Sequence, residues 1–435
     1  FRERRRARGC VDMEDEQEVS VAPSTSSSLN SRFSQVEIRR ESSGDSADRK
    51  RRAAEMERPL SASSLTLAVM PMSQRVFNTP GRFRCHTRSS HHRPSSNLFD
   101  RYRVPDEIIE EILSNLNFRD LMAAMQACRR FAAAGSKSPE WHGLDFREKK
   151  PSEPISEAVL IRILERGTRA LRICGRPITK SFEDDEEVHW KSSLTHMDFS
   201  GVRMPRDASP LIHLLIPTTT LRCVSLSGCH INDDVLTLLT QNTMISELDL
   251  SMCSGINPEC LGCLVGSLSQ LKQLNVNCTR IGKAGAATLV EMLPGSITHL
   301  DISGSGESDN PNDSIDDDAV IEIAERCPLL VELRLSDSPK ITEESFLHLL
   351  ELEYLRSLSV CRCYNIRPVI FLQATSLTVF SCFGCVTEQG NITLRERMPN
   401  TKVNEPAYAL SQVARPTPPP SCSSIWGQRT RTLYS

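Results

Sequence analysis

The sequence predicts an α/β chain with a short helical block followed by a curved solenoid, parallel strands inside and helices outside, between a disordered N-terminal arm and an extended C-terminal tail. Three observations predict it. Apolar residues recur as L-x-x-L-x-L from Leu171, Leu194, Leu221, Ile245, Leu271, Ile297, Leu330 and Leu355, with a frayed ninth at Leu377. Just before them, residues 104–146 carry apolar residues at helical spacing. Residues 1–100 show no sustained period of 3.6 or 2.

Successive repeat starts lie 23, 27, 24, 26, 26, 33, 25 and 22 residues apart, and all but the 33 fall in the roughly 20–29 residue window of leucine-rich repeats. One such unit cannot bury its apolar face alone, so the units stack, and their outward strand positions form a long concave surface. Positions four and six point inward, and three, five and seven outward. Position five reads Asp198, Ser225, Asp249, Asn275, Asp301, Arg334, Ser359 and Ser381. Position three reads His196, Cys223, Glu247, Gln273, His299, Glu332, Ser357 and Val379. These are poor strand formers, expected to face solvent or a partner. The middle of the concave face is therefore expected to be acidic, with Asp301 and Arg334 among its binding residues, and to steer a basic partner. Position nine, where Asn or Cys satisfies the turn, holds Cys229, Cys253, Cys363 and Cys385.

A length of 435 residues allows about two or three domains. The boundaries read as a basic Ser-rich arm over 1–100, a helical block over 101–147, repeats over 148–403 and a tail over 404–435. The net charge of -3 hides an asymmetry: the arm holds 18 Lys+Arg against 13 Asp+Glu, and the remainder is acidic. Sixteen cysteines in a long chain with no secretory apolar region and no apolar run near 18 residues suit a reducing, soluble, intracellular setting without a membrane. The chain starts at Phe1 rather than Met, which leaves a preceding segment open.

The arm cannot offset its ordering entropy, so disorder is expected. Within it, Arg49-Lys50-Arg51-Arg52 reads either as a nuclear import signal or patch for acidic partners, or as a solvated charge run. The first reading predicts a nuclear as well as a cytoplasmic location. Thr79-Pro80 suits a proline-directed kinase, and Arg58-Pro59-Leu60 suits a short cyclin-docking motif, which makes a cyclin a partner of the arm.

In the helical block, Pro105 followed by Asp106 and Glu107 opens a helix, as the missing donor and the helix dipole favour. Ile108, Ile109, Ile112, Leu113 and Leu116 share one broad face. Leu121, Met122, Met125, Cys128 and Phe131 then form a second pattern, closed by Gly135 and Pro139, and Trp141 and Leu144 end the block. A unit this small buries only about 60% of its chain surface. Two readings stand: the helices cap the repeat stack, as terminal repeats require, or their apolar face binds a partner.

The wording of the block resembles the F-box motif: Pro105 through Leu116, then Leu121, Cys128-Arg129-Arg130-Phe131 and the late Trp141, with Val104 where that family usually has Leu. An F-box directly before leucine-rich repeats is the architecture of substrate receptors in cullin-RING ubiquitin ligases. The resemblance implies a Skp-type adaptor and cullin as partners, with Pro105, Ile108, Ile109, Ile112, Leu113, Leu116, Leu121 and Trp141 on the adaptor side.

The repeats and tail resemble one branch of that family, the S-phase kinase-associated protein 2 type. The residues that carry this are 194–200, Leu335-Ser336-Asp337-Ser338, Cys361-Arg362-Cys363-Tyr364-Asn365-Ile366, Ala414-Arg415-Pro416-Thr417, Ile425-Trp426-Gly427 and Arg431-Thr432-Leu433. The resemblance implies concave repeats that hold a cyclin-dependent kinase accessory subunit and, with it, a phosphorylated kinase inhibitor for ubiquitination. Asp337, Arg362 and Tyr364 would contact subunit or substrate. Trp426 would either do the same or anchor the tail. Cys278 stands where the family has an aromatic residue, and Ser305-Gly306 where it has an arginine. The prolines of residues 415–420 favour an extended tail that folds back along the concave face.

Nothing in the sequence nominates catalysis: a Gly-rich phosphate loop, HExxH and GxSxG are all missing, and neither a cofactor nor nucleic acid is expected. Cys260-x-x-Cys263 and Cys382-x-x-Cys385 have zinc-ligand spacing, but they lie in distant repeats, so no metal is expected there. The acidic insertion of residues 306–318 lacks the spacing of an EF-hand. It reads as a solvated loop with an Asp capping the next helix, over 319–326. His91-His92 lies in the arm and reads as inert. The rival to a ligase receptor is a repeat scaffold of another class whose helical block is only a cap.

Overall fold

The computed structural model describes residues 102, 104–116, 118–146, 154–180, 190–304, 315–408, 411, 413–414 and 431–432. All of them belong to one compact unit, residues 57–435. The whole arm, including Arg49–Arg52, Arg58–Leu60, Thr79-Pro80 and His91-His92, lies outside the described residues, as does Trp426.

Three helices open the fold: α1 Asp106–Ser114, α2 Phe118–Ala127 and α3 Arg129–Gly135. The second apolar pattern is carried by two helices, α2 and α3. Cys128 adopts extended backbone (φ -157°, ψ 164°), breaking the helix, and its Sγ accepts from Phe131 N to cap α3. Ile109 and Leu113, one turn apart on α1, are buried with Leu121, Met122 and Met125 of α2. Arg130 Nε reaches Asp106 Oδ1 at 2.6 Å, tying α3 to the start of α1.

The chain then enters a twelve-stranded parallel sheet through β1 Gly143–Asp145. Next come β2 Ile155–Ser156 and β4 Ile178–Thr179, which pair with each other in a second, two-stranded sheet, and β3 Ala170–Arg172. The main sheet continues through β5 His196–Asp198, β6 Cys223–Ser225, β7 Glu247–Asp249, β8 Gln273–Asn275 and β9 His299–Asp301. It ends with β10 Glu332–Arg334, β11 Ser357–Ser359, β12 Val379–Ser381 and β13 Lys402–Val403. Strands stack in chain order, and β14 Arg431–Thr432 pairs in parallel beside β1 at the opposite end from β13.

The register corrects the first repeat start. Leu171 lies opposite Met197, and Leu144 opposite Leu171, so both hold position four rather than one. The rungs therefore begin at Trp141 and Thr168, and Trp141-x-x-Leu144-x-Phe146 is itself the first rung of the solenoid. All three side chains are buried in the common core.

Helices α4 Glu157–Leu164, α5 Ser209–Leu215, α6 Asp233–Thr240, α7 Pro258–Ser267, α8 Gly282–Glu291, α9 Asp317–Arg326, α10 Glu343–Leu349 and α11 Glu388–Arg397 alternate with the strands. Several start on side-chain caps, as with Asn232 to Val235 N and Asn257 to Glu259 N. The acidic insertion ends at Asp316, which caps Ala319 N, so α9 starts two residues earlier than the pattern implied. Each inward Leu or Ile contributes about 1.5–3 kcal/mol on burial. Phe346, Phe371 and Phe380, with ring centroids 5.3–6.0 Å apart, fill the C-terminal end.

Candidate functional site

On α1 two apolar stripes run side by side. Ile109 and Leu113 face inward at 1% exposure, whereas Ile108 and Ile112 lie open at 51% and 48%. Residues four apart share a face, so the open pair forms one short ridge, continued by exposed Pro105 and half-buried Leu116. This divides the expected adaptor residues. Ile109, Leu113, Leu121 and Trp141 have no surface left for a partner, and their role is to hold the helices. Trp141 is fully buried: Nε1 donates to Gly135 O at 2.8 Å, and the Arg166 guanidinium sits 4.5 Å over its ring. It joins the helical block to the first rung.

The position-five row is not open. Asp198, Asp249, Asn275, Asp301 and Arg334 are all buried. Each Asp or Asn folds back onto the N–H two residues ahead: Asp198 to Ser200, Asp249 to Ser251, Asn275 to Asn277 and Asp301 to Ser303, at 3.0–3.1 Å. Such Asx turns carry the chain out of these four strands. The same side chains link neighbouring rungs, as Arg172 does with Asp145 and Asp198 at 3.1 and 2.8 Å, and Ser225 with Asp249 at 2.9 Å. Asp301 and Arg334 therefore belong to the frame, and the acidic mid-face expected from the sequence is withdrawn into it. Arg334 Nε holds Glu332 at 3.0 Å, and its Nη2 donates to Tyr408 O. Asn275 Nδ2 donates to Val413 O, and Ala414 N to Gln273 Oε1, both at 3.0 Å, so Tyr408 lies against β10 and residues 413–414 against β8.

What is open lies at position eight, where the backbone is left-handed in the nine rungs that start from Thr168 to Leu377: Gly175, Gly201, Gly228, Met252, Cys278, Gly304, Asp337, Arg362 and Gly384. Glycine is at ease there, while other residues incur about 1–2 kcal/mol. The four that do so, Met252, Cys278, Asp337 and Arg362, are not buried. Arg362 forms a two-pronged ion pair with Asp337, which raises its pKa above the ordinary guanidinium value. Gly384 leaves room for it, since a Cβ there would stand 3.1 Å from Arg362 Cγ. Tyr364, two residues on, is 63% exposed. The structure thus gathers Asp337, Arg362 and Tyr364 on one open edge. Sequence reasoning missed Met252, although a position that is glycine in five rungs out of nine is a usable signal. Burial, then Asp337 and Asp301, push the Cys278 thiol up, so it is a poor nucleophile here.

The ninth-position thiols act as expected for turn fillers. Cys229, Cys253, Cys363 and Cys385 each donate to a carbonyl of the preceding rung at 3.0–3.4 Å. Cys260 follows β7 and Cys382 follows β12, five strands further on. At about 4.8 Å per strand this separation is too great for one shared ion. Among the described residues no helix is long and apolar enough to cross a membrane.

Two family models match the chain: the SKP2 LRR domain over residues 158–433 and an F-box-like domain over residues 102–147. Among solved structures, the Rad7 and Elc1 complex in yeast has a matching chain at 14% identity, covering 71% of this chain and 89% of that one, with a TM-score of 0.28. An internalin from Listeria monocytogenes matches at 12% identity over 55% and 74% of the two chains, with a TM-score of 0.33.

Proposed function

Because this chain belongs to the SKP2 family of F-box leucine-rich-repeat proteins, the substrate-recognition subunits of Skp-cullin-F-box ubiquitin ligases, we propose that it captures a phosphorylated cell-cycle inhibitor together with a cyclin-dependent kinase accessory subunit. The observation that carries the reading is the open Ile108–Ile112 ridge, an apolar helical face that the chain's own repeats leave uncovered. An F-box docks on a Skp-type adaptor, and Pro105, Ile108, Ile112 and Leu116 are the residues positioned to meet it. The accessory subunit and the inhibitor belong on the edge of Asp337, Arg362 and Tyr364, where a charged pair and an exposed aromatic ring make a hot spot.

The chain works by position. It holds the inhibitor near ubiquitin chemistry performed on other subunits and so raises its effective concentration there. It is not itself the catalyst. A nuclear and cytoplasmic location and cyclin docking through the arm complete the reading.

Reconstitution tests it: adaptor, cullin module, accessory subunit and the full chain should ubiquitinate a phosphorylated inhibitor and spare its unphosphorylated form. Equal modification of both forms, or modification unaffected by omitting the accessory subunit, contradicts the substrate assignment.

A further inference from the structure

We propose that the outer face of α7 and α8 is a binding site for a soft monovalent cation, Cu(I), held by the Cys260 and Cys263 thiolates and the Met292 thioether. The site belongs to neither docking surface described above and does not rest on the proposed function.

Helix α7 opens on Asn257, whose side chain accepts from Glu259 N at 3.1 Å, with Pro258 in the first turn. That start fixes which residues face the core: Leu261, Leu264 and Val265 are buried. Cys260 and Cys263, three apart, share the outward side, the first half-buried and the second exposed. The two thiols sense one another: burial, then Asp233, then Cys263 push the Cys260 thiol up. Cys263 has no hydrogen-bond partner among the described residues.

The third sulfur comes from the end of α8. Gly262 and Gly266, four apart on α7, let α8 approach closely. A Cβ would stand 3.1 Å from Thr288 Cγ2 at Gly262 and 3.4 Å from Met292 Sδ at Gly266. The Met292 sulfur therefore lies against α7 about one turn beyond Cys263, on a side chain that stays exposed. Methionine is unbranched with three rotatable bonds, so its sulfur can swing toward the thiols.

The donors select the ion. Among the described residues no three His, Cys, Asp or Glu side chains gather to hold a metal, so the set is two thiols and a thioether. Zinc takes four ligands from Cys, His and carboxylate, whereas thiolate with thioether suits Cu(I). Asp233 accepts from the Cys260 thiol, and from Asn257 Nδ2 at 3.2 Å, and so orients a ligand rather than serving as one. Binding exchanges the two thiol protons for the ion, and affinity should rise with pH.

The test is an anaerobic titration of the full chain with Cu(I) against a chromophoric chelator, with Zn(II) as the rival probe. Cys260→Ser combined with Cys263→Ser should bind one Cu(I) fewer per chain than the parent. Met292→Leu should hold that ion several-fold less tightly. With one equivalent bound, X-ray absorption at the copper edge should show three sulfur neighbours in the parent and two in Met292→Leu. All variants should keep the parent's circular dichroism spectrum and still bind the Skp-type adaptor, which separates failure here from misfolding and from failure of the proposed function. Equal uptake by the double variant, unchanged retention in Met292→Leu, or preference of this pair for Zn(II) would overturn the proposal.

Discussion

Arg362 donates from both Nε and Nη2 to the two carboxylate oxygens of Asp337 across adjoining rungs, although both residues hold left-handed backbone, with φ of 60° and 63°. Each left-handed side chain costs about 1–2 kcal/mol relative to glycine, and a half-exposed ion pair returns only about 0.2–1 kcal/mol. The pair is therefore a net drain on folding, which suits a surface kept for a partner.

Arg362→Gly should accordingly leave stability equal or raise it by up to about 1 kcal/mol. It should also weaken capture of the phosphorylated inhibitor by about 1–3 kcal/mol. Urea unfolding midpoints and peptide binding should thus move in opposite directions. A lower midpoint with unchanged capture would mean that the pair is structural.

Tyr364→Ala removes an exposed ring, so stability should stay within about 0.5 kcal/mol. Capture in the presence of the accessory subunit should fall by about 1–3 kcal/mol. Calorimetric titration of both proteins with the peptide checks this, and equal affinity would remove Tyr364 from the site.

Burial pushes the thiols of Cys229, Cys363 and Cys382 up to about 12. At pH 8 about one in ten thousand is then ionised, and only the thiolate alkylates. Mass spectrometry after iodoacetamide should find these three unmodified in the native chain and modified in urea, whereas exposed Cys263 should react in both. Native labelling of the three would show that the rungs open more readily than this packing allows.

Asp316 accepts from Lys283 at 2.5 Å and from Ala319 N. Burial pushes its carboxyl pKa up, but these partners outweigh it, and the net shift is downward. A carboxyl depressed in the folded state stabilises above its unfolded pKa, near pH 4, and loses that contribution as pH falls through the lower folded value. Lys283→Met should therefore be less stable than the parent at pH 6, and the two should converge on acidification. A difference that persists or grows toward pH 2 would contradict the linkage.

Much of this fold was legible because inward Leu and Ile residues recur wherever a rung must fill the core. The first two rungs were hidden. Thr168 is not apolar, and Trp141 reads as the end of a helical block rather than as the start of a strand, so the count slipped by three residues until the pairing of Leu144, Leu171 and Met197 fixed it. The Asp residues of position five misled for a different reason. A carboxylate that closes an Asx turn looks, in sequence, like one offered to solvent. The break at Cys128 was equally silent, since its neighbours keep helical spacing on both sides. On α1 the broad apolar face was plain, but its division into a buried and an open stripe depends on where α2 and α3 pack.

The most direct test of the ligase assignment is co-elution of the purified chain with a Skp-type adaptor on size exclusion, for the parent and for Ile108→Glu with Ile112→Glu. The parent should form the complex, and the double variant should lose it while keeping its circular dichroism spectrum and unfolding midpoint. A parent chain that does not bind, or a double variant that binds equally well, would contradict the account.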